Sequence, residues 1–211
     1  MKNIFLDFGA NRLQGLLYFS EKLKIDSSWC IQSYEADPSI YDAIKSPDYL
    51  GLLDKRRDFY KFQDFQIFNL AVSNCNKIDE IKCVKQITLN QEVKTGDYGG
   101  STLLKDNIWH PGHDNVVFET SKIETIDVNK IISNVVVSQG KDCKIYIKCD
   151  IEGYEYDVLN KLLLSDHLEN IKQIYVEWHS RFFSNQKEKK EEELILKSKF
   201  TSNNIEIHDH F

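Results

Sequence analysis

"IYIKCDIEGYEYDVL" (145–159) is a mostly apolar run that ends at Asp150, with Glu152, Glu155 and Asp157 close behind. Such a run, breaking into an acidic turn and then an amphipathic stretch, reads as strand, turn and helix. Carboxylates near a helix start are favoured by its dipole, which explains Glu155 and Asp157 as a helix beginning in solvent. Asp150 instead ends a strand, and Glu152 falls in the turn, where it shapes the turn or touches substrate. Ligands of open α/β sheets bind outside the carboxyl ends of the strands, so Asp150 is a candidate site residue.

The same plan recurs outward from this stretch. "IYVEWH" (174–179) is the next strand and carries Glu177 and His179 at its end. A Glu and a His beside an Asp on the adjacent strand can orient a hydroxyl, act as a base or hold a divalent metal. Near the N-terminus, "NIFLDFGANRLQGLLYFSEKLKI" (3–25) reads as strand, tight turn from Asp7 to Asn11, and helix to about Lys24. "WCIQSYEADPSIYDAIKS" (29–46) repeats it, with a strand ending at Glu35 and a helix from about Ser39. "FQIFNLAVSN" (65–74) is a third strand, "NQKEKKEEELILKSKF" (185–200) a helix with a solvated charged face, and "NIEIHDHF" (204–211) a final strand. Strands alternating with helices imply an α/β fold with a mainly parallel sheet covered on both faces.

The alternation fails between Asn76 and about Asn129. "KTGDYGGSTLLKDNIWHPGHDN" (94–115) is a long irregular segment, and such loops are commonly functional. His110, His113 and Asp114 have a spacing similar to that of metal ligands. Pro111-Gly112 makes a turn there, however, and no further Cys or His partner follows, so substrate contact is the better reading. The expectation is a single domain, 1–211, with a substrate-side excursion at about 76–129.

Composition narrows the function classes. The 211 residues are 41% hydrophobic and 12% aromatic, enough for a sizeable core. A net charge of −6 and a pI near 5.6 argue against a generic nucleic-acid or anionic-membrane surface. Five cysteines without a C-x-x-C pair fit reduced thiols. Asp7 comes too early for a leader, and no apolar run reaches membrane-span length, so a soluble, cytoplasmic protein is expected.

Two features point to a cofactor. A Gly9 turn lets backbone pass close to a ligand ahead of an electropositive helix N-terminus, although a plain tight turn looks the same. Glu35 ends the neighbouring strand, where acids accept hydrogen bonds from ribose hydroxyls; helix capping there is better served by Asp37. Together they favour an adenosine-containing cofactor.

In order along the chain, "FLDFGAN", "YEADP", "NLAVSN", "GGSTL", "ETSKIETID", "IKCDIEGYEYDVL" and "IYVEWH" resemble the motifs of the FkbM family of S-adenosylmethionine-dependent methyltransferases. The resemblance implies a Rossmann-like class I methyltransferase sandwich, with a mostly parallel central sheet and a C-terminal antiparallel strand. It implies that Asp7, Gly9 and Asn11 hold the amino-acid end of the cofactor, Glu35 the ribose, and Ala71 to Ser73 the adenine. Asp150 would stand beside the sulfonium and the acceptor, with Asp150 or His179 as base. By analogy of fold, Asp150, Glu177 and His179 are positions for Mg²⁺ or Mn²⁺. The implied reaction is O-methylation of a small-molecule or glycan hydroxyl, with Tyr98, Trp109, His110, His113 and Glu152 contacting the acceptor. One departure stands out: Leu13 occupies a position where the family usually has glycine, and Gly15 follows two residues on. Alternatives are a dehydrogenase-like enzyme, for which "GANRLQG" lacks G-x-G-x-x-G, and a non-catalytic module.

Overall fold

The computed structural model describes residues 1–45, 64–89, 92–95, 100–104 and 115–210, with backbone alone at 86–89, 92–95 and 115–116. Six strands form the main sheet: β1 (Asn3–Phe8), β2 (Cys30–Tyr34), β3 (Phe65–Phe68), β8 (Lys144–Cys149), β9 (Ile171–Val176) and β10 (Glu206–Asp209). Their order across it is β10-β9-β8-β1-β2-β3.

The pleat sorts the core onto two faces. Ile4, Leu6 and Phe8 of β1 pack with α3 (Val128–Gln139), α4 (Glu155–Leu162) and α5 (Gln186–Ser202). Phe5 points the other way, to α1 (Gln14–Lys22) and α2 (Pro38–Lys45), where Leu16, Phe19, Ile40 and Ile44 are buried. The chain builds β1, β2 and β3 in one direction and β8, β9 and β10 in the other, so strand order reverses between β1 and β8. That reversal is where an open α/β sheet forms its binding crevice.

Two expectations are corrected. The last strand is parallel, with Glu206 to Asp209 paired to Gln173 to Val176. The 17-residue α5 spans about 25 Å between β9 and β10 and carries the chain back to the starting end of the sheet, which enforces a parallel return. The stretch 65–74 is two strands in different sheets: β3 joins β2, whereas β4 (Ala71–Ser73) belongs to a second sheet. Asn69 marks the break, its Nδ2 donating to the Glu35 carbonyl at 2.9 Å.

The second sheet fills most of the span where alternation fails. It adds β5 (Lys77–Leu89), β6 (Glu92–Thr95) and β7 (Asn115–Asp127) to β4, in the order β4-β7-β5-β6. Among the described residues, no helix is long and apolar enough to cross a membrane.

Candidate active site

The site forms where β1 and β8 leave the sheet. Gly9 has φ +76, and a Cβ there would come 1.8 Å from the Asp150 carbonyl oxygen. Only glycine permits that approach of the two strand ends. Asn11 and Leu13 also take positive φ, 45 and 60. Leu13 therefore adopts the left-handed conformation that glycine favours, and its side chain, 4% exposed, is buried with Leu16 and Phe19. The departure in the turn keeps the backbone shape and adds core packing.

A cavity opens above this junction. It is lined by Tyr34, Glu35, Ala71, Gly9, Asn11 and Asp150, among others. Glu35 is clamped by backbone: its Oε2 accepts from the Asn11 N–H at 2.6 Å and its Oε1 from the Asp37 N–H at 2.7 Å. Burial nevertheless pushes its pKa up to about 7, against the pull of those two N–H groups. Asp37 caps α2 through the Ser39 N–H and also accepts from the Ser101 hydroxyl at 2.7 Å, which brings residues 100–104 over the cavity.

Asp7 and Asp150 are held by side-chain charge. Asp7 is fully buried, in register with Ser33 of β2 and Lys148 of β8. Lys148, 2% exposed, places its Nζ 3.3 Å from Asp7 Oδ1 and 3.2 Å from Asp150 Oδ2, and donates to the Gly9 carbonyl. Burial raises the Asp7 pKa, with Lys148 opposing, and the Asp7 oxygens take no well-aligned hydrogen bond among the described residues. Burial disfavours the Lys148 cation, but Asp150 and Asp7 outweigh it and keep the ammonium charged.

Beyond Asp150, His179 is ringed by carboxylates. Its Nδ1 lies 2.8 Å from Glu155 Oε1. Its Nε2 lies 3.3 Å from Glu152 Oε2, 3.4 Å from Glu177 Oε1 and 3.9 Å from Asp150 Oδ1. Burial alone would lower its pKa; the charge and hydrogen bond of Glu155, with Glu177 and Glu152, push it up to about 11. Burial lifts Glu152 to about 7 despite His179, while the hydrogen bond from His179 is the main cause lowering Glu177. Glu152 itself has φ 54, and its carbonyl accepts from the Thr102 hydroxyl at 2.7 Å.

Glu155 is a correction. It is not solvated but fully buried, accepting from the Ile151 and Gly153 N–H groups and gripping His179. The burial comes from the tight 151–153 turn, which folds those two N–H groups back onto the first turn of α4. Asp157 is exposed, as expected.

The other expected residues separate clearly. Asp150, Glu152, Glu177 and His179 converge, and so do Gly9, Asn11, Glu35 and Ala71 around the first cavity. Ser73 and Asp7 are fully buried and do not line it. Tyr98, Trp109, His110 and His113 lie outside the described residues. Lys148 and the buried role of Glu155 are not foreseen by the sequence patterns. The one signal for Lys148 is a cation within the apolar run 145–149.

The family model described as Methyltransferase FkbM domain matches residues 7–202. No curated protein and no solved structure matches the chain.

Proposed function

The chain belongs to the FkbM methyltransferase family, and from that premise we propose that it transfers a methyl group from S-adenosylmethionine to a hydroxyl of a sugar or glycan. The observation that carries this reading is the position of Asp150. It lines the cavity that Glu35 also lines, and it lies beside His179. When bound, S-adenosylmethionine supplies a methyl group on a sulfonium whose sulfur keeps the bonding pair on transfer.

Glu35, ionised, accepts the ribose hydroxyls, and the Gly9 turn and Asn11 receive the amino-acid end. Ala71 borders the adenine end. An alcohol is a poor nucleophile at neutral pH, so a group at the transfer point must take its proton as the oxygen bonds to the methyl carbon. Asp150 stands in that place. His179 has acceptors at both ring nitrogens, so in this arrangement it donates at both and steadies the surrounding carboxylates. The second sheet supplies the acceptor side with Glu152, and Tyr98, Trp109, His110 and His113 are the further residues proposed to contact the acceptor.

The same cluster also fits a divalent cation. One ligand atom each from Asp150, Glu152 and His179 lie within 4.8 Å of one another, and Glu155 holds Nδ1 so that Nε2 faces the group. Glu152 takes the place expected of Glu177, whose Oε1 is also 3.4 Å from Arg181. Mg²⁺ or Mn²⁺ would supply a lowered pKa for the acceptor hydroxyl.

Calorimetry with S-adenosylhomocysteine against NAD tests the cofactor. Binding of the first alone supports the reading, NAD alone favours a dehydrogenase, and neither at micromolar concentration leaves a non-catalytic module. Methyl transfer to a panel of sugars, before and after exhaustive chelation, tests acceptor and metal. Full activity after chelation excludes the cation.

A further inference from the structure

Lys148 has no part in the reaction as derived above, yet it is a buried lysine in the middle of the site. A lysine at 2% exposure is tolerated only when its ammonium is fully paired. Its three partners come from three places: Asp7 within β1, the Gly9 carbonyl in the turn after β1, and Asp150 at the end of β8. The aliphatic stem runs against α1, where a Cβ on Gly15 would meet Lys148 Cε at 3.1 Å and Nζ at 3.5 Å. Lys148 also borders a second cavity, shared with Asn11, Gly15, Asp150 and His210.

We propose that Lys148 is the positioning residue of this site, its ammonium locking Asp150 to the Gly9 turn so that the acid and the cofactor's reactive end share one geometry. The proposal rests on the methyl-transfer reading. A simple counter-ion for Asp7 would explain less. Asp150 is 23% exposed in its side chain and can be solvated without a lysine, and the Gly9 carbonyl carries no charge to neutralise. One hydrogen bond to the Gly9 carbonyl and ion pairs to Asp7 and Asp150 tie the Gly9 turn, β1 and the end of β8 together, while one pairing would suffice to balance Asp7.

The test separates charge balance from positioning. Lys148→Met alone leaves Asp7 buried without its cation and lowers Tm. The double variant Asp7→Asn/Lys148→Met removes both charges, so Tm recovers. Positioning predicts that S-adenosylhomocysteine affinity of the double variant stays about 10- to 100-fold weaker, the loss typical of charged hydrogen bonds, and that kcat falls with it. Gly15→Ala is the second variant. Alanine favours the helix, so Tm holds or rises, while the crowded Lys148 Cε gives way and carries the ammonium with it, and affinity drops several-fold. Wild-type affinity and kcat in Gly15→Ala, or in the double variant with Tm restored, overturn the proposal. If the unaltered protein binds no S-adenosylhomocysteine, the methyl-transfer reading falls first and takes the proposal with it.

Discussion

Glu35 and Asp150 end the two strands that flank β1, and they are secured by opposite means. Glu35 is caught by two backbone N–H groups at 2.6 and 2.7 Å, both from turns that its own strand end and the β1 turn create. Asp150 is secured by charged side chains, with Lys148 at 3.2 Å on one side and the His179 cluster on the other. A backbone clamp is set once the fold forms. A charge clamp depends on several side chains from separate elements, and it can change when a proton or a cation arrives. Fixed recognition of a cofactor suits the first arrangement, and chemistry suits the second.

That division can be broken by substitution. Asp150→Ala should lower methyl transfer by about 10²- to 10⁴-fold, the usual worth of a positioned acid–base group. Near-normal turnover of that variant would remove Asp150 from the chemistry. Glu35→Gln should weaken cofactor binding by about 10- to 100-fold while kcat at saturating cofactor stays close to wild type. An equal fall in kcat would show that the two acids do not act separately.

The Glu35 clamp also has a pH signature. Its pKa stands at about 7, above the ordinary 4.5, and ribose hydroxyls donate to the ionised form. Cofactor affinity should therefore fall as pH drops through about 7 and level off above it, and Glu35→Gln should lose that dependence in calorimetry. The smallest effect on activity is expected at Leu13. Leu13→Gly relieves about 1–2 kcal/mol of left-handed strain but removes a buried leucine worth about 2–5 kcal/mol. Chemical denaturation should show a net loss of stability, with cofactor affinity changed by no more than about twofold.

Much of the frame is legible in residue patterns. Alternating apolar strands and capped helices point to the parallel sheet, and strand ends mark Glu35, Asp150, Glu177 and His179 as site candidates. What stays hidden depends on contacts between distant segments. Asp7 and Lys148 become partners only because β1 and β8 are neighbours, which no local pattern announces. Glu155 looks like any acid in a first helical turn, since the dipole argument holds equally for a solvated and a buried carboxylate. Four-residue β10 carries no directional signal of its own, and the α5 crossover decides it. The run 65–74 is largely apolar, so its change of sheet at Asn69 leaves no mark on its periodicity.

The parallel final strand has one more consequence, for how copies of the molecule meet in crowded solution. Among the described residues it leaves β10 as an outer strand with one row of backbone groups facing away from β9. An outer strand of that kind is a template for pairing with another chain. Here it is four residues long, and Glu206, His208 and Asp209 are exposed along it. A border this short, with charged and polar side chains along it, gives a second molecule little to pair with, so it is guarded against edge-to-edge association.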